Sequence, residues 1–210
     1  MNKFEKTKEY LLDRFNGLDK ILEIEFRDEF SVVDINNKRS FIIVSIQEED
    51  NTFQIRKGDR ISIEHEFDDT KLFHIKNAKT IGFIPIDGRG GLMKLLKINE
   101  KRCDFVCFDE TSLCFVEFKL NATSRNPEAF QRNRQEAINQ LKNTIALFDS
   151  KLDKNYEELE LEAYICTPKT YPRVLATLQT LQNKFTAEIK AEMNVDVYIR
   201  LFEQNEKICI

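Results

Sequence analysis

The hydrophobic positions change their spacing along the chain. Over residues 3–23, apolar residues recur every three or four positions with charged residues between them, which predicts an amphipathic helix. From about residue 21 to residue 86, short β-prone runs alternate with turn-prone clusters, which predicts an antiparallel meander or a small barrel. The predicted strands cover residues 21–26, 30–35, 41–46, 52–55, 60–67 and 71–75.

The elements lengthen beyond residue 86. Residues 103–108 and 113–120 form a predicted hairpin, and Asn126 and Pro127 are a typical N-cap and first residue of a helix that reaches about Phe148. A strand over 159–166, a helix over 172–193 and strands over 195–201 and 207–210 follow. This order predicts a mixed α/β (α+β) layer fold.

Pro85 and the glycine-rich segment 87–91 separate these two regions and predict a domain boundary. We expect residues 1–85 to form an N-terminal helix plus a β-rich module for recognition or partner binding. Residues 86–210 are expected to form the second domain.

Composition narrows the classes of protein. The 210 residues are 41% hydrophobic and 32% charged, as in globular domains, and the net charge of −4 excludes nonspecific coating of nucleic acid by bulk positive charge. No apolar run approaches the roughly 20 residues that cross a bilayer, and the first residues lack an apolar signal core. With an odd count of five cysteines, these features predict a cytoplasmic protein with free thiols and no membrane contact.

The predicted hairpin carries the candidate chemistry. Side chains alternate along a strand, so Glu117 and Lys119 point to one face, and Asp104 on the paired strand can converge on them. Two carboxylates and a lysine can bind Mg²⁺ and act on a phosphodiester. The tripeptide Asp/Glu-x-Lys occurs four times in the chain, but only Glu117 ends an apolar strand whose partner carries a second acid.

These residues resemble the PD-(D/E)xK nuclease superfamily over roughly residues 90–166. The matching pieces are Asp104, then Glu117-Phe118-Lys119 after twelve residues, then a helix and a strand. The predicted helix contains Gln140, in a pattern similar to the glutamine that members often carry after the lysine. Cys103 stands where the family name has proline, and no acid on a preceding helix is assigned.

The resemblance implies a restriction-endonuclease-like mixed sheet flanked by helices. It implies Mg²⁺- or Mn²⁺-dependent hydrolysis of DNA, with RNA as a second substrate, in restriction, repair or defence. Asp104 and Glu117 would bind the metal, Lys119 would position or activate water, and Gln140 would support the site.

Basic residues exceed acidic ones between Lys119 and Lys142. They form either a phosphate-contacting rim for nucleic acid or a solvated helix face, and the residues of this rim are Arg125, Arg132, Arg134 and Lys142.

Several alternatives stay open at this stage. The hairpin acids and lysine also suit an ordinary salt-bridged sheet edge, and a fold can persist without its chemistry. A non-catalytic module that binds a protein partner or nucleic acid is therefore the alternative function, and a homodimerisation domain is a further one. Cys103, Cys107 and Cys114 are better explained as small buried hydrophobes than as ligands of a metal or iron–sulfur cluster.

Overall fold

The computed structural model describes residues 2–35, 38–57, 60–66, 68, 71–76, 79–120, 126–152, 159–167, 175–203 and 207–209, with the backbone alone for 175–178, 198–203 and 207–209. Two sheets of six strands each and four α-helices make up this part of the chain. The helices are α1 (Lys3–Arg14), α2 (Leu92–Leu96), α3 (Pro127–Lys151) and α4 (Leu175–Met193). The expected mixed α/β fold is therefore confirmed.

The first sheet contains the predicted hairpin. Its strands follow the order β1-β7-β8-β9-β10-β11. Neighbours among the first four strands of this order pair antiparallel, whereas β10 pairs parallel with both β9 and β11. Helices α3 and α4 make the two crossovers between the parallel strands, as such connections require. The strands are β1 (Glu23–Glu25), β7 (Ile81–Pro85), β8 (Phe105–Phe108), β9 (Ser112–Phe118), β10 (Glu160–Thr167) and β11 (Val197–Glu203).

The second sheet contains five of the six strands predicted for the meander together with one strand from the C-terminal part, whereas the predicted strand over 21–26 lies in the first sheet. Consecutive strands β2 to β5 pair antiparallel, β6 pairs with β2, and β12 adds to β6 in parallel. The short strands and close turns explain why this region lacks crossover helices. The strands are β2 (Glu29–Asp34), β3 (Ser40–Gln47), β4 (Thr52–Lys57), β5 (Arg60–His65), β6 (Leu72–Lys76) and β12 (Lys207–Cys209).

Three layers bury the apolar residues. One core cluster joins the helices to one face of the first sheet and includes Phe15, Phe115 and Phe148. A second joins the opposite face of that sheet to the meander and includes Phe73 and Phe105. The first sheet is thus covered on both faces, which explains its nearly continuous apolar strands.

Helix α3 begins where the sequence predicts. Asn126 Oδ1 accepts a hydrogen bond of 2.9 Å from the backbone N–H of Glu128, and Pro127 occupies the first turn. The buried face of the helix includes Ile138, Leu141 and other apolar residues, but also Gln140. The cap and the buried face therefore fix which side of α3 meets the first sheet.

The first predicted helix is too long. Helix α1 ends at Arg14, Phe15 turns to extended backbone, and Gly17 adopts a φ of +82° before a short 3₁₀ turn at Leu18–Lys20. The apolar spacing continued past the end of the helix because Phe15 and Leu18 enter the same core from a turn. The helix α2 and the buried strand β7 were not predicted.

The sheets do not follow the predicted division at residue 85. Strand β7 ends at Pro85 and pairs with β8 beyond it, while α1 packs in the same core cluster as α3. Strand β12 lies beyond the division and pairs with β6 before it. None of the described helices is both long and apolar enough to cross a membrane.

Replacing Gly82 with alanine tests the contact between β7 and β8. A Cβ at this position would lie 2.2 Å from the ring of Phe108, which is fully buried and stacks on Phe4. We expect Gly82→Ala to lower the free energy of unfolding by about 1–3 kcal/mol through overpacking. In a Phe108→Leu background the same substitution should cost less, as measured by a urea-unfolding double-mutant cycle. Equal costs in both backgrounds would contradict this contact.

Candidate active site

Asp104 is fixed at the open end of the β8–β9 hairpin. It directly precedes β8, and its backbone N–H donates to the Val116 carbonyl at 3.0 Å. Its carboxylate Oδ2 accepts a hydrogen bond of 2.5 Å from the backbone N–H of Phe118. Pairing of the two strands therefore holds the Asp104 carboxylate across the end of β9, beside Glu117.

Glu117 is a buried carboxylate with one unpaired oxygen. The residue is 1% exposed and lies on the face of β9 that carries Phe115, toward the helices. Its Oε1 accepts from the Lys119 ammonium at 2.8 Å, and its Oε2 has no hydrogen-bond partner within the described residues. A buried polar atom without a partner costs on the order of 1–3 kcal/mol, so this oxygen is a place where a ligand would be stabilised.

Gln140 connects the lysine to the segment before β8 that carries Asp104. Its Oε1 accepts from Lys119 Nζ at 2.9 Å, and its Nε2 donates to the Arg102 carbonyl at 2.9 Å. One turn further along α3, Thr144 Oγ1 accepts from the Cys103 N–H at 2.9 Å. Helix α3 thus fixes both the ammonium group and the backbone that leads into Asp104. The structure brings all four predicted site residues together.

The electrostatics of the site disfavour negative charge. Burial, followed by the charges of Glu117 and Asp34, raises the pKa of Asp104 well above its ordinary value. Burial raises the pKa of Glu117 to about 7, although the neighbouring Lys119 and Asp104 oppose this rise. Burial also acts to lower the pKa of Lys119, but Glu117, Asp104 and Glu136 outweigh it, so the pKa is raised and the lysine stays an ammonium.

Asp34 is a site residue that the sequence did not reveal. It ends strand β2 of the second sheet, and its charge acts on Asp104, Glu117 and Lys119 of the first sheet. Burial and the nearby Asp87 raise its pKa to about 6, against the effect of Lys119. In the sequence, the only local signal for this residue is that an acid follows a run of β-branched residues. Its position at the site results from the packing of one sheet on the other.

Two clefts open at the site. A cleft of about 690 Å³ is lined by Asp34, Asp87 and Asp104, among other residues, and a smaller one of about 340 Å³ is lined by Asp34, Lys119 and Glu136, among others. Asp34 is the residue that lines both. The cleft that Asp104 lines and the cleft that Lys119 lines therefore both border Asp34.

The predicted basic rim on α3 is only partly available. Lys142 is held by the carboxylates of Glu188 at 2.9 Å and Glu192 at 3.0 Å. Arg132 is exposed, Arg134 is half-buried, and Arg125 lies outside the described residues. A phosphate that contacts Lys142 would have to displace two carboxylates.

The cysteines behave as buried apolar residues. Cys103, Cys107, Cys114 and Cys166 are free and buried, whereas the side chain of Cys209 lies outside the described part. Cys103 belongs to the core on the helix side of the first sheet, and Cys107 and Cys114 belong to the core on its other side. The sheet thus separates Cys103 from the other two, which disfavours a shared cluster.

The donor set at the site suits a small hard cation. Asp104 and Glu117 supply neighbouring carboxylates, and one Glu117 oxygen has no partner in the described part of the chain. Within the described ranges, no group of three or more His, Cys, Asp and Glu residues could hold a metal ion. Mg²⁺ commonly takes one or two carboxylates and completes its shell with water and phosphate oxygens, so two carboxylates fit it.

Comparisons with known proteins do not assign the chain to a family. No family model, no curated protein and no solved structure matches it.

The raised pKa of Glu117 predicts how stability depends on pH. Its value of about 7 in the folded protein lies above that of an unfolded chain, so the stability linked to this group is complete at low pH and is lost as pH rises through 7. In EDTA, we expect wild type to lose on the order of 1–3 kcal/mol relative to Glu117→Gln between acidic and alkaline pH.

Urea unfolding across this range measures the difference. Glu160→Gln is the matched control, because Glu160 is exposed and begins β10 at the end opposite the pair of Ile165 with Glu117. A constant difference between wild type and Glu117→Gln at every pH would contradict the burial of an ionisable Glu117.

Proposed function

We propose that the protein is a Mg²⁺-dependent nuclease that hydrolyses phosphodiester bonds of DNA, with RNA as the second candidate substrate. The observation that carries this proposal is the buried Glu117 carboxylate, which has one oxygen on Lys119 and the other without a partner in the described residues, beside the Asp104 carboxylate. Restriction, repair or defence is the setting that the family resemblance implies.

Asp104 and Glu117 would hold the ion. Burial disfavours negative charge on both carboxylates, and the charge of Glu117 adds to this effect at Asp104, so a divalent cation held by the two would offset that cost. When bound, Mg²⁺ neutralises charge on a phosphodiester and acidifies its water.

Lys119 is suited to orient water and to stabilise charge on the phosphate. Its raised pKa keeps it protonated at neutral pH, so it is a hydrogen-bond donor and not a base. Two of its three N–H groups are directed to Glu117 and Gln140, and the residue lines the smaller cleft. The remaining N–H is available to a phosphate oxygen or a water.

The topology supports the resemblance to the PD-(D/E)xK superfamily. The hairpin β8–β9 carries Asp104 and Glu117-Phe118-Lys119, α3 follows and packs on the first sheet, and β10 then joins β9 in parallel. This is the order of hairpin, helix and strand that the resemblance implies, although a shared arrangement does not by itself carry an activity.

Binding of Mg²⁺ should stabilise the fold. At ten times the dissociation constant, a ligand that binds only the folded state adds about 1.4 kcal/mol, which raises the melting temperature by a few degrees. We expect this rise for wild type when melting is followed by circular dichroism with Mg²⁺ and with EDTA. Asp104→Asn and Glu117→Gln should abolish the rise, whereas Glu160→Gln should keep it. An equal rise in all four proteins would exclude these two ligands.

Removal of the charge of Lys119 or of Asp104 should strongly lower the rate of cleavage. Plasmid, linear duplex, single-stranded DNA and RNA are incubated with Mg²⁺ or Mn²⁺, and products are separated on gels. Lys119→Met and Asp104→Asn should lower the rate by about 10²–10³-fold or more, because each removes charge stabilisation in the transition state. Lys151→Met is the control, since Lys151 is exposed at the end of α3.

The double substitution Asp104→Ala with Lys119→Ala is the most severe version of this test. Metal-dependent cleavage by this double variant would contradict the assignment of the site.

One observation favours a non-catalytic binding module as the second candidate. Glu117 is 1% exposed, and its ion pair with Lys119 closes one side of the site. If no substrate is cleaved with either metal while nucleic acid or a protein partner binds, this second function replaces the first.

A further inference from the structure

The larger cleft has a rim built by the glycine-rich segment and α2. Gly88 has a φ of +77°, and a Cβ there would lie 1.9 Å from the backbone carbonyl oxygen of Lys38, so the loop sits directly against the connection between β2 and β3. Arg89 follows in the same loop, and Lys94 lies on α2. The second sheet thus fixes the position of the loop that carries Arg89.

Three cations of this rim are exposed and have no ion-pair partner among the described residues: Arg89, Lys94 and Lys101. Two other charged residues of the cleft are already paired, since Lys38 pairs with Glu64 at 3.1 Å and Glu100 pairs with Arg102. The acidic lining residues without an ion pair in the described part of the chain are Asp34, Asp87 and Asp104, and Asp87 lies in the same loop as Arg89. The cleft is therefore lined by three cations without an ion pair in the described part of the chain, and also by Asp104, one of the two carboxylates proposed to hold the metal.

The chemistry of this edge is that of a phosphate-binding surface. An arginine and two lysines bind phosphate oxygens, and no aromatic side chain lines the described part of the cleft for base stacking. Contacts of this kind hold the backbone and carry no sequence information.

We propose that Arg89, Lys94 and Lys101 hold the phosphodiester backbone of the substrate strand in the larger cleft, on the Asp104 side of the site. This inference rests on the proposed function and names the substrate-binding surface that serves it. A strand along this cleft reaches Asp104 without displacing an ion pair of the rim. A strand that contacts Lys142 on α3 would have to displace Glu188 and Glu192.

The test measures how binding depends on salt. Fluorescence anisotropy follows a labelled DNA duplex, the matching single strand and its RNA version, in Mg²⁺ and over a series of salt concentrations. All chains carry Lys119→Met so that the substrates stay intact. Each lost phosphate contact flattens the slope of log affinity against log salt by about 0.7 to 0.9, so Arg89→Gln with Lys94→Gln and Lys101→Gln should flatten it by about 2 to 3.

Two matched variants separate the cleft from charge in general. Lys6→Gln with Lys20→Gln and Lys151→Gln removes the same charge from exposed positions outside the cleft, and it should leave the slope unchanged. A second variant neutralises the predicted α3 rim at Arg132, Arg134 and Lys142, and it should change the slope by less than the cleft variant. Melting curves check that every variant folds, and single substitutions at the three cleft positions should each flatten the slope by about 0.7 to 0.9.

The outcomes separate this inference from the proposed function. An unchanged slope in the cleft variant, a larger effect in the α3 variant, or no binding by any chain overturns the inference. If cleavage requires Asp104 but the salt dependence of binding does not change when the cleft cations are removed, the protein is a nuclease that does not use this surface. If the salt dependence of binding changes when the cleft cations are removed, but the wild-type protein cleaves no substrate, the surface binds nucleic acid and the proposed nuclease activity is rejected.

Discussion

The ion pair between Glu117 and Lys119 is the interaction on which the site depends. It brings a carboxylate into the helix-facing core at the end of β9 and compensates only one of its oxygens. Gln140 on α3 then binds the lysine and the backbone segment that leads to Asp104, so the hairpin and the helix are positioned by the same polar contacts. A buried polar network that is only partly paired lowers the stability of the fold, and a ligand that pairs the remaining atoms makes it rigid. Fixed positions of this kind are what a preorganised site requires.

The site also needs both sheets. The first sheet supplies Asp104, Glu117 and Lys119, whereas the meander supplies Asp34 and supports the loop that carries Arg89. The core between the sheets, with Phe73 against Phe105, keeps these groups at fixed positions. Packing of aromatic side chains between the layers thus supports the clefts, and one of these rings, Phe118, lines the smaller cleft.

Local patterns predicted the parts of the molecule that local forces determine. The hairpin, the cap of α3 and the convergence of Asp104 with Glu117 follow from strand alternation and capping, and the structure has them. The end of α1, strand β7 and the place of Asp34 could not be predicted, because they depend on a glycine conformation or on contacts between distant segments. The α3 rim was proposed from charge alone, and its Lys142 is neutralised by α4, whose packing the sequence does not specify.

Strands β1 and β7 are neighbours in the first sheet, with Glu23 opposite Phe83. The polypeptide therefore leaves the sheet after β1, builds β2 to β6 elsewhere, and returns to the adjacent position. In topological terms those five strands are an insertion between two paired strands, and a closed loop becomes only slowly more costly as it lengthens, by about 0.6 kcal/mol for each doubling. The insertion could thus vary in length and sequence without changing the pairing of the first sheet, while still delivering Asp34 to the site that this sheet builds.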